Sequence, residues 1–487
     1  MPLCIMAASM NTDGTKLEKV CFPLHEDPAA KWDVKIEGGC ASFTNASTAN
    51  HASGLILPPL CHPHIHLDKA YILTGNNNQP NQSGWPDYSD LLPTTGSFSE
   101  ALQNTTEAKN RYTREDLQLR GNQLIASCVK HGVTSMRAFA EVDHVTQSLA
   151  LSEAIRLKRE WDHLMDVQIC AFAQDPLFST EHGERNRQEI SQVLTSQLRE
   201  NIGAIGTTPY VEDSREAALQ NIEFAIDSAL THRMHLDFHL DYNLKEPSGD
   251  QAPLIYDVIE KLKEHDWLKN ADPNRTIVLG HCTQLTQLSN AEMSRLAELI
   301  TGSKLPIHFV GLPTSDLYMM GRPSAPLTDA SASSQNRPRG TLNVPSLIKD
   351  HGLNACLGVN NVGNAFTPYG TGDPLQLASW GVGLYHAGTV EDARLLYGCV
   401  SWRARAAIGL SDPDGEGADY NAPSETGRMW KPALLIRNES SHRFDTANAR
   451  GDGVRPWVVP ARQRRSIQDV VWDPPETSLR STVRYSS

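Results

Sequence analysis

Eight times along this chain, a short apolar run rich in β-branched residues alternates with a longer segment of helical period. The runs lie at 55–61, 133–140, 167–173, 202–205, 235–240, 276–280, 306–310 and 353–357. Helices are predicted between them at 113–130, 147–161, 186–200, 214–230, 253–268, 291–301 and 344–350, with two more over 374–410. Segment 214–230 is the clearest, with Ala218, Ile222, Ala225, Ile226 and Ala229 on one stripe. Alternation of this kind implies parallel strands with helices outside. Eight such units favour a closed (β/α)8 barrel of the TIM type. No glycine-rich dinucleotide turn follows the first run, which weighs against an open doubly wound sheet.

The two ends read differently. Residues 1–54 carry polar, alternating stretches such as 34–37, and the helical period stops near 411. Short strand-like pieces follow at 433–437 and 457–459. The expected organisation is therefore a barrel over 55–410, flanked by a small β-sandwich domain built from 1–54 and 411–487. The segment 75–97 is rich in Asn, Pro, Ser and Gly and follows the first barrel strand, so it is a candidate lid carrying Trp85.

Composition narrows the function classes. The net charge is −13, which argues against a nucleic-acid partner or an anionic lipid surface. No stretch approaches about 18 apolar residues, so no helical membrane span is expected. The first ten residues lack a basic stretch followed by an apolar one, so no signal peptide is expected. Nine cysteines occur with no CxxC pair, which reads as reduced thiols in a cytoplasmic protein. A small-molecule substrate is the expected partner, and homo-oligomerisation is left open.

Histidines cluster where such barrels keep their chemistry. The first run leads into Cys61-His62-Pro63-His64-Ile65-His66-Leu67-Asp68-Lys69. Side chains alternate along a strand, so His64 and His66 share a face and can both reach one divalent cation. His239 lies near the end of the fifth run and His281 at the end of the sixth. C-terminal strand ends are the active-site face of this architecture.

These residues carry a resemblance. Pro63 to Asp68, His239 and the segment Gly280-His281-Cys282-Thr283 resemble the amidohydrolase superfamily, in particular its cytosine deaminase and N-isopropylammelide amidohydrolase group. Gln174 after strand three, the segment from Leu312 to Arg322, the pair Arg339-Gly340, and the strand-eight segment around Asn360 and Asn361 are similar to that group as well. The resemblance implies a metal-dependent hydrolase of C–N bonds in which His64, His66 and His239 ligate one zinc or iron ion. It implies that His281 holds the attacking water or the substrate, and that Gln174, Asn361 and Arg322 contact the substrate. Strand four carries no Lys that could bridge two metals, so a single metal is implied.

Two positions depart from the group. Its strand-eight Asp is Asn360 here, and the Glu three residues after its strand-five His is Tyr242. Hydrolysis needs a group that takes a proton from water and returns it to the leaving nitrogen. A neutral amide cannot do this, and a phenol with a pKa near 10 shuttles protons poorly at pH 7, although it can donate to an oxyanion. Asp241, two residues after His239, is a candidate substitute; its alternative role is to orient a His or a loop amide. Three readings stay open: a C–N hydrolase with rearranged proton transfer, a metal-dependent cyclase, isomerase or lyase, and an inactive barrel that binds a ligand or protein. Cys282 is expected to be a buried structural thiol.

Overall fold

Two prolines decide where the barrel begins. The structure, a computed structural model, describes residues 9–11, 15–46, 51–73, 85–322, 340–410, 420, 428–447 and 454–484. The first apolar run is divided at Pro58 and Pro59, which lack the N–H that a ladder requires. Its first half, Gly54–Leu57, joins an outer sheet. The barrel strand β1 starts later than expected, at Leu60–His66.

The remaining barrel strands fall on the other predicted runs. They are β2 (Val133–Glu141), β3 (Asp166–Ala173), β4 (Ile202–Thr207), β5 (His235–Leu240), β6 (Ile277–His281), β7 (Ile307–Gly311) and β8 (Ala355–Leu357). Each pairs in parallel with its sequence neighbour. The cylinder closes between β1 and the residues after β8. His66 N–H donates to Asn360 O at 2.8 Å, and Asn360 N–H donates to His64 O at 3.1 Å. Strands β1, β2, β5 and β6 are buried along their whole length, as parallel strands covered on both faces should be.

The helices bury the faces their sequences predicted. In Arg215–His232, Ala218, Ile222, Ala225, Ile226 and Ala229 are all buried, and Ser214 Oγ caps the start by accepting from Ala217 N–H. Over 374–410 three helices form rather than two: Pro374–Leu384, Val390–Cys399 and Trp402–Ala407. A further helix, Phe98–Lys109, follows β1; its signal was Ser97-x-x-Glu100, where Ser97 Oγ accepts from Glu100 N–H.

Both chain ends build the second sheet. Its order is Ser9–Asn11, Arg480–Arg484, Ala433–Arg437, Gly54–Leu57, Thr15–Cys21, Lys31–Glu37, Cys40–Asn45 and Arg428–Met429. Val34 and Ile36 are fully buried while Lys35 and Glu37 face out, which is the period-two alternation read from the sequence. Ser441–Ala447 and Val454–Pro460 form a separate two-stranded ribbon. Among the described residues, no helix is long and apolar enough to cross a membrane.

Candidate active site

Residues i and i+2 of a strand share a face, so the barrel interior is built in layers. One layer holds Phe139 of β2 and Phe172 of β3, with ring centroids 5.2 Å apart. Against it lie the imidazoles of β1 and β5: His64 at 4.1 Å from Phe139, and His239 at 4.5 Å from Phe172. The ring nitrogens converge. His64 Nε2 lies 3.0 Å from His239 Nε2, and His66 Nε2 lies 3.1 Å from the same atom. Nitrogens about 2.0–2.1 Å from one tetrahedral cation stand about 3.3 Å apart, so each of these two spacings to His239 suits a shared ion. One nitrogen each of His64, His239 and His281 also lie within 4.8 Å of one another.

Burial keeps these imidazoles neutral. It pushes the pKa of His64, His66 and His239 well below the usual histidine range, and the neighbouring imidazoles and the Lys69 ammonium push the same way. Neutral imidazole is the form that ligates metal. The Nδ1 atoms of all three are buried without a hydrogen-bond partner. Asp237 Oδ1 is 3.9 Å from His64 Nδ1, while Asp237 Oδ2 accepts from Arg137 Nη1 at 2.7 Å. Desolvation raises the Asp237 pKa to about 7 against the pull of Arg137. The neutral nitrogens of His64 and His239, with that of His281 within 4.8 Å of both, fit one divalent cation, and His66 adjoins them through His239.

His281 ends β6 and is held on two sides. Its Nδ1 is 2.7 Å from Asp316 Oδ1, and Tyr242 stacks on its ring at 3.8 Å and 27°. Asp316 lies in the short helix Pro313–Met319 after β7. The adjacent Ser315 fixes Asn360, whose Nδ2 donates to Ser315 Oγ at 2.9 Å. That leaves Asn360 Oδ1 buried and unpaired on the imidazole side. The rim backbone is strained to aim these groups: Asp241, His281, Cys282 and Asn360 have φ of 48°, 67°, 47° and 67°.

The other candidate residues are placed as follows. Gln174 sits above the Phe172 layer, with its Oε1 accepting from Lys69 Nζ. Asn361 is buried, and its Oδ1 accepts from Asn364 Nδ2 at 2.7 Å. Arg322 is exposed at the rim; its guanidinium donates to Tyr318 O and Thr95 O and lies over the Tyr318 ring. Arg339 lies outside the described residues, as does 75–84 of the candidate lid. Asp241 is turned away from the histidines. Its carboxylate accepts from Leu254 N–H at 2.7 Å and Ile255 N–H at 3.3 Å, so it holds a loop, which was the alternative role. Cys282 is fully buried, and burial pushes its thiol pKa well up.

Charged residues within or beside the apolar runs carry what the sequence reading did not assign. Lys69 is 1% exposed, and its ammonium contacts Glu141 and Gln174 and lies 5.6 Å from the Phe172 centroid. Lys109 bridges Glu141, Asp143 and Asp175 at 3.0, 2.6 and 2.9 Å. Asp143, His144 and Asp175 cluster as a metal group would, but the Lys109 ammonium already stands on both acids. Lys109 also ends the helix whose first residue, Phe98, packs 5.9 Å from Tyr242 and from Phe366. That helix, with Tyr210 and Met319, roofs the site in apolar surface.

A scan against protein-family models finds no match. An N-isopropylammelide isopropyl amidohydrolase of Pseudomonas sp. (strain ADP) is 22% identical over 221 residues, which cover 45% of this chain and 48% of that relative. This chain thus aligns with about half that relative's length. A pterin deaminase of Rhizobium rhizogenes is 21% identical over 344 residues, 69% of this chain and 67% of the relative. The solved 5-methylcytosine deaminase of Klebsiella pneumoniae, liganded with phosphonocytosine, superposes with a TM-score of 0.68 at 19% identity, covering 94% of this chain and 93% of that one. The chain therefore has the fold of that deaminase.

Proposed function

We propose that this chain is a mononuclear metal-dependent hydrolase that breaks a C–N bond in a small cyclic substrate, by deamination or by amide or amidine hydrolysis. The observation that carries the reading is the convergence of His64 and His66 Nε2 on His239 Nε2 inside the barrel mouth. A zinc or iron ion held by these three imidazoles would supply Lewis acidity and lower the pKa of water. The chain itself does the rest. His281 stands beside the histidine group with one nitrogen directed to it. Gln174 and Asn361 supply polar contacts at the rim, and Asn360 turns an amide oxygen inward. The apolar roof of Phe98, Tyr210, Tyr242 and Phe366 excludes water and offers flat surface to a ring. The related and structurally similar proteins, named as deaminases and an amidohydrolase, support the same chemistry. The net charge of −13 supports an enzyme of small molecules with no nucleic-acid partner, and nine cysteines without a CxxC pair support a cytoplasmic location. We take residues 58–410 as the barrel domain and both ends, with Gly54–Leu57 in the outer sheet, as the flanking one.

A second reading, a metal-dependent cyclase, isomerase or lyase, is favoured by the two lost carboxylates at Asn360 and Tyr242. Elemental analysis of purified protein, paired with His239→Ala, tests the metal: about one equivalent in the wild type should fall sharply in the variant. Ammonia or amine release from amino-pyrimidines, amino-triazines and pterins in ¹⁸O-water separates the two chemistries. Hydrolysis incorporates label. Negligible metal in the wild type overturns both.

A further inference from the structure

We propose that Asp316 and His281 form the proton-handling couple of this site, replacing the two acids that Asn360 and Tyr242 do not supply. The proposal rests on the hydrolytic reading above and assigns it a residue.

The geometry is that of an imidazole locked in one tautomer. An ionised carboxylate only accepts hydrogen bonds, so the proposal places the proton on the nitrogen that faces Asp316 Oδ1 at 2.7 Å. That nitrogen is Nδ1. Nε2 is then the unprotonated atom, and His281 is the imidazole with a nitrogen within 4.8 Å of nitrogens on both His64 and His239. Asp316 is itself fully buried and held in place: Thr341 Oγ1 donates to its Oδ2 at 2.8 Å, and Leu312 N–H donates to the same oxygen at 3.3 Å. Among the described residues no Lys or Arg lies within ion-pair distance of Asp316, and His281 is the titratable group that it holds by a hydrogen bond. Tyr242 fixes the plane of the same ring from one face.

The step balances. The attacking water gives a proton to His281 Nε2 as its oxygen bonds to the ring carbon of the substrate. The same proton passes from Nε2 to the leaving nitrogen as the C–N bond breaks. Asp316 keeps its charge throughout and stabilises the transient imidazolium. Asp316 is thus a positioning residue acting through His281. The arrangement explains how a neutral amide and a phenol can replace two carboxylates: the negative charge has moved from the positions after β5 and β8 to the helix after β7.

The test reads the tautomer directly and needs no substrate. In full-length, zinc-loaded protein labelled with ¹⁵N-histidine, long-range ¹H–¹⁵N correlation spectra distinguish Nδ1–H from Nε2–H rings, with His281 assigned by comparison with His281→Gln. The expected result is an Nδ1–H ring in the wild type and loss of that bias in Asp316→Asn. An Nε2–H ring in the wild type overturns the proposal, and that measurement requires no Asp316 variant to fold. With any substrate that the ammonia screen identifies, Asp316→Asn should lower kcat by about 10²–10⁴-fold. KM and metal content should stay near wild type, and Asp316→Glu should recover part of the loss. An unchanged kcat refutes the couple. Absence of metal or hydrolysis, with the Nδ1–H tautomer intact, refutes the enzymatic reading instead.

Discussion

Replacing Lys109 by Met should uncouple the roof helix from the barrel at a cost that can be worked out from the structure. Lys109 is 3% exposed, and its ammonium stands 3.0, 2.6 and 2.9 Å from carboxylate oxygens of Glu141, Asp143 and Asp175. At an effective dielectric of about 20, each contact is worth about 6 kcal/mol gross. Most of that gain offsets desolvation, and losing one partner of a buried pair costs about 3–5 kcal/mol net. Asp143 and Asp175 lose their cation while Glu141 keeps Lys69, which puts Lys109→Met at about 4 kcal/mol at pH 8. The sign with pH follows from the carboxylates. Lys109 pulls on Glu141 and Asp143, and Asp143 sits below its usual range although burial acts against it. Burial already raises Glu141. Without the ammonium, the folded-state pKa values of Glu141 and Asp143 rise above their unfolded values. The folded variant then binds protons more tightly than the unfolded chain and regains stability as pH falls toward about 5. Urea unfolding between pH 5 and 8, followed by tryptophan fluorescence and circular dichroism together, measures both quantities. Amide exchange across Phe98–Lys109 should speed up in parallel. A loss below about 1 kcal/mol at pH 8, or a deficit that does not shrink in acid, would refute the reasoning.

Two further outcomes follow from placement. Asp241→Asn should cost about 1–2 kcal/mol through the Leu254 and Ile255 amides and leave kcat within about threefold, checked by denaturation and steady-state rates. Because burial raises the Asp241 pKa to about 7, wild-type stability loses a contribution as pH rises from about 4 to 7, and the Asn variant should lack that slope. Tyr242→Phe keeps the stack on His281 and removes a hydroxyl that is buried without a partner, so stability should hold or rise. A fall in kcat in that variant, measured beside its melting point, would mean that the phenol meets the substrate.

The architecture was legible because it is written in periods. Each barrel strand except the first sits on its predicted run, and the first was displaced only because a run of apolar residues does not show that Pro58 and Pro59 split it between two sheets. The histidines were legible because strand parity puts His64 and His66 on one face and because this architecture gathers chemistry at strand ends. Parity alone cannot say where a side chain goes once the strand has ended. Asp241 is two residues after His239, yet its positive φ turns it to the amides of a neighbouring helix. Asp316 was one acid in a rim segment until the turn after β7 set it 2.7 Å from His281, thirty-five positions away. Lys69, Lys109 and Glu141 had no role in the sequence pattern and are buried against one another. Local sequence determined the strands, the helices and the convergence of imidazoles, since these follow from alternation and helical period. Only the closed barrel decided which carboxylate faces which imidazole, because such contacts depend on backbone turns and on packing between residues far apart in the chain.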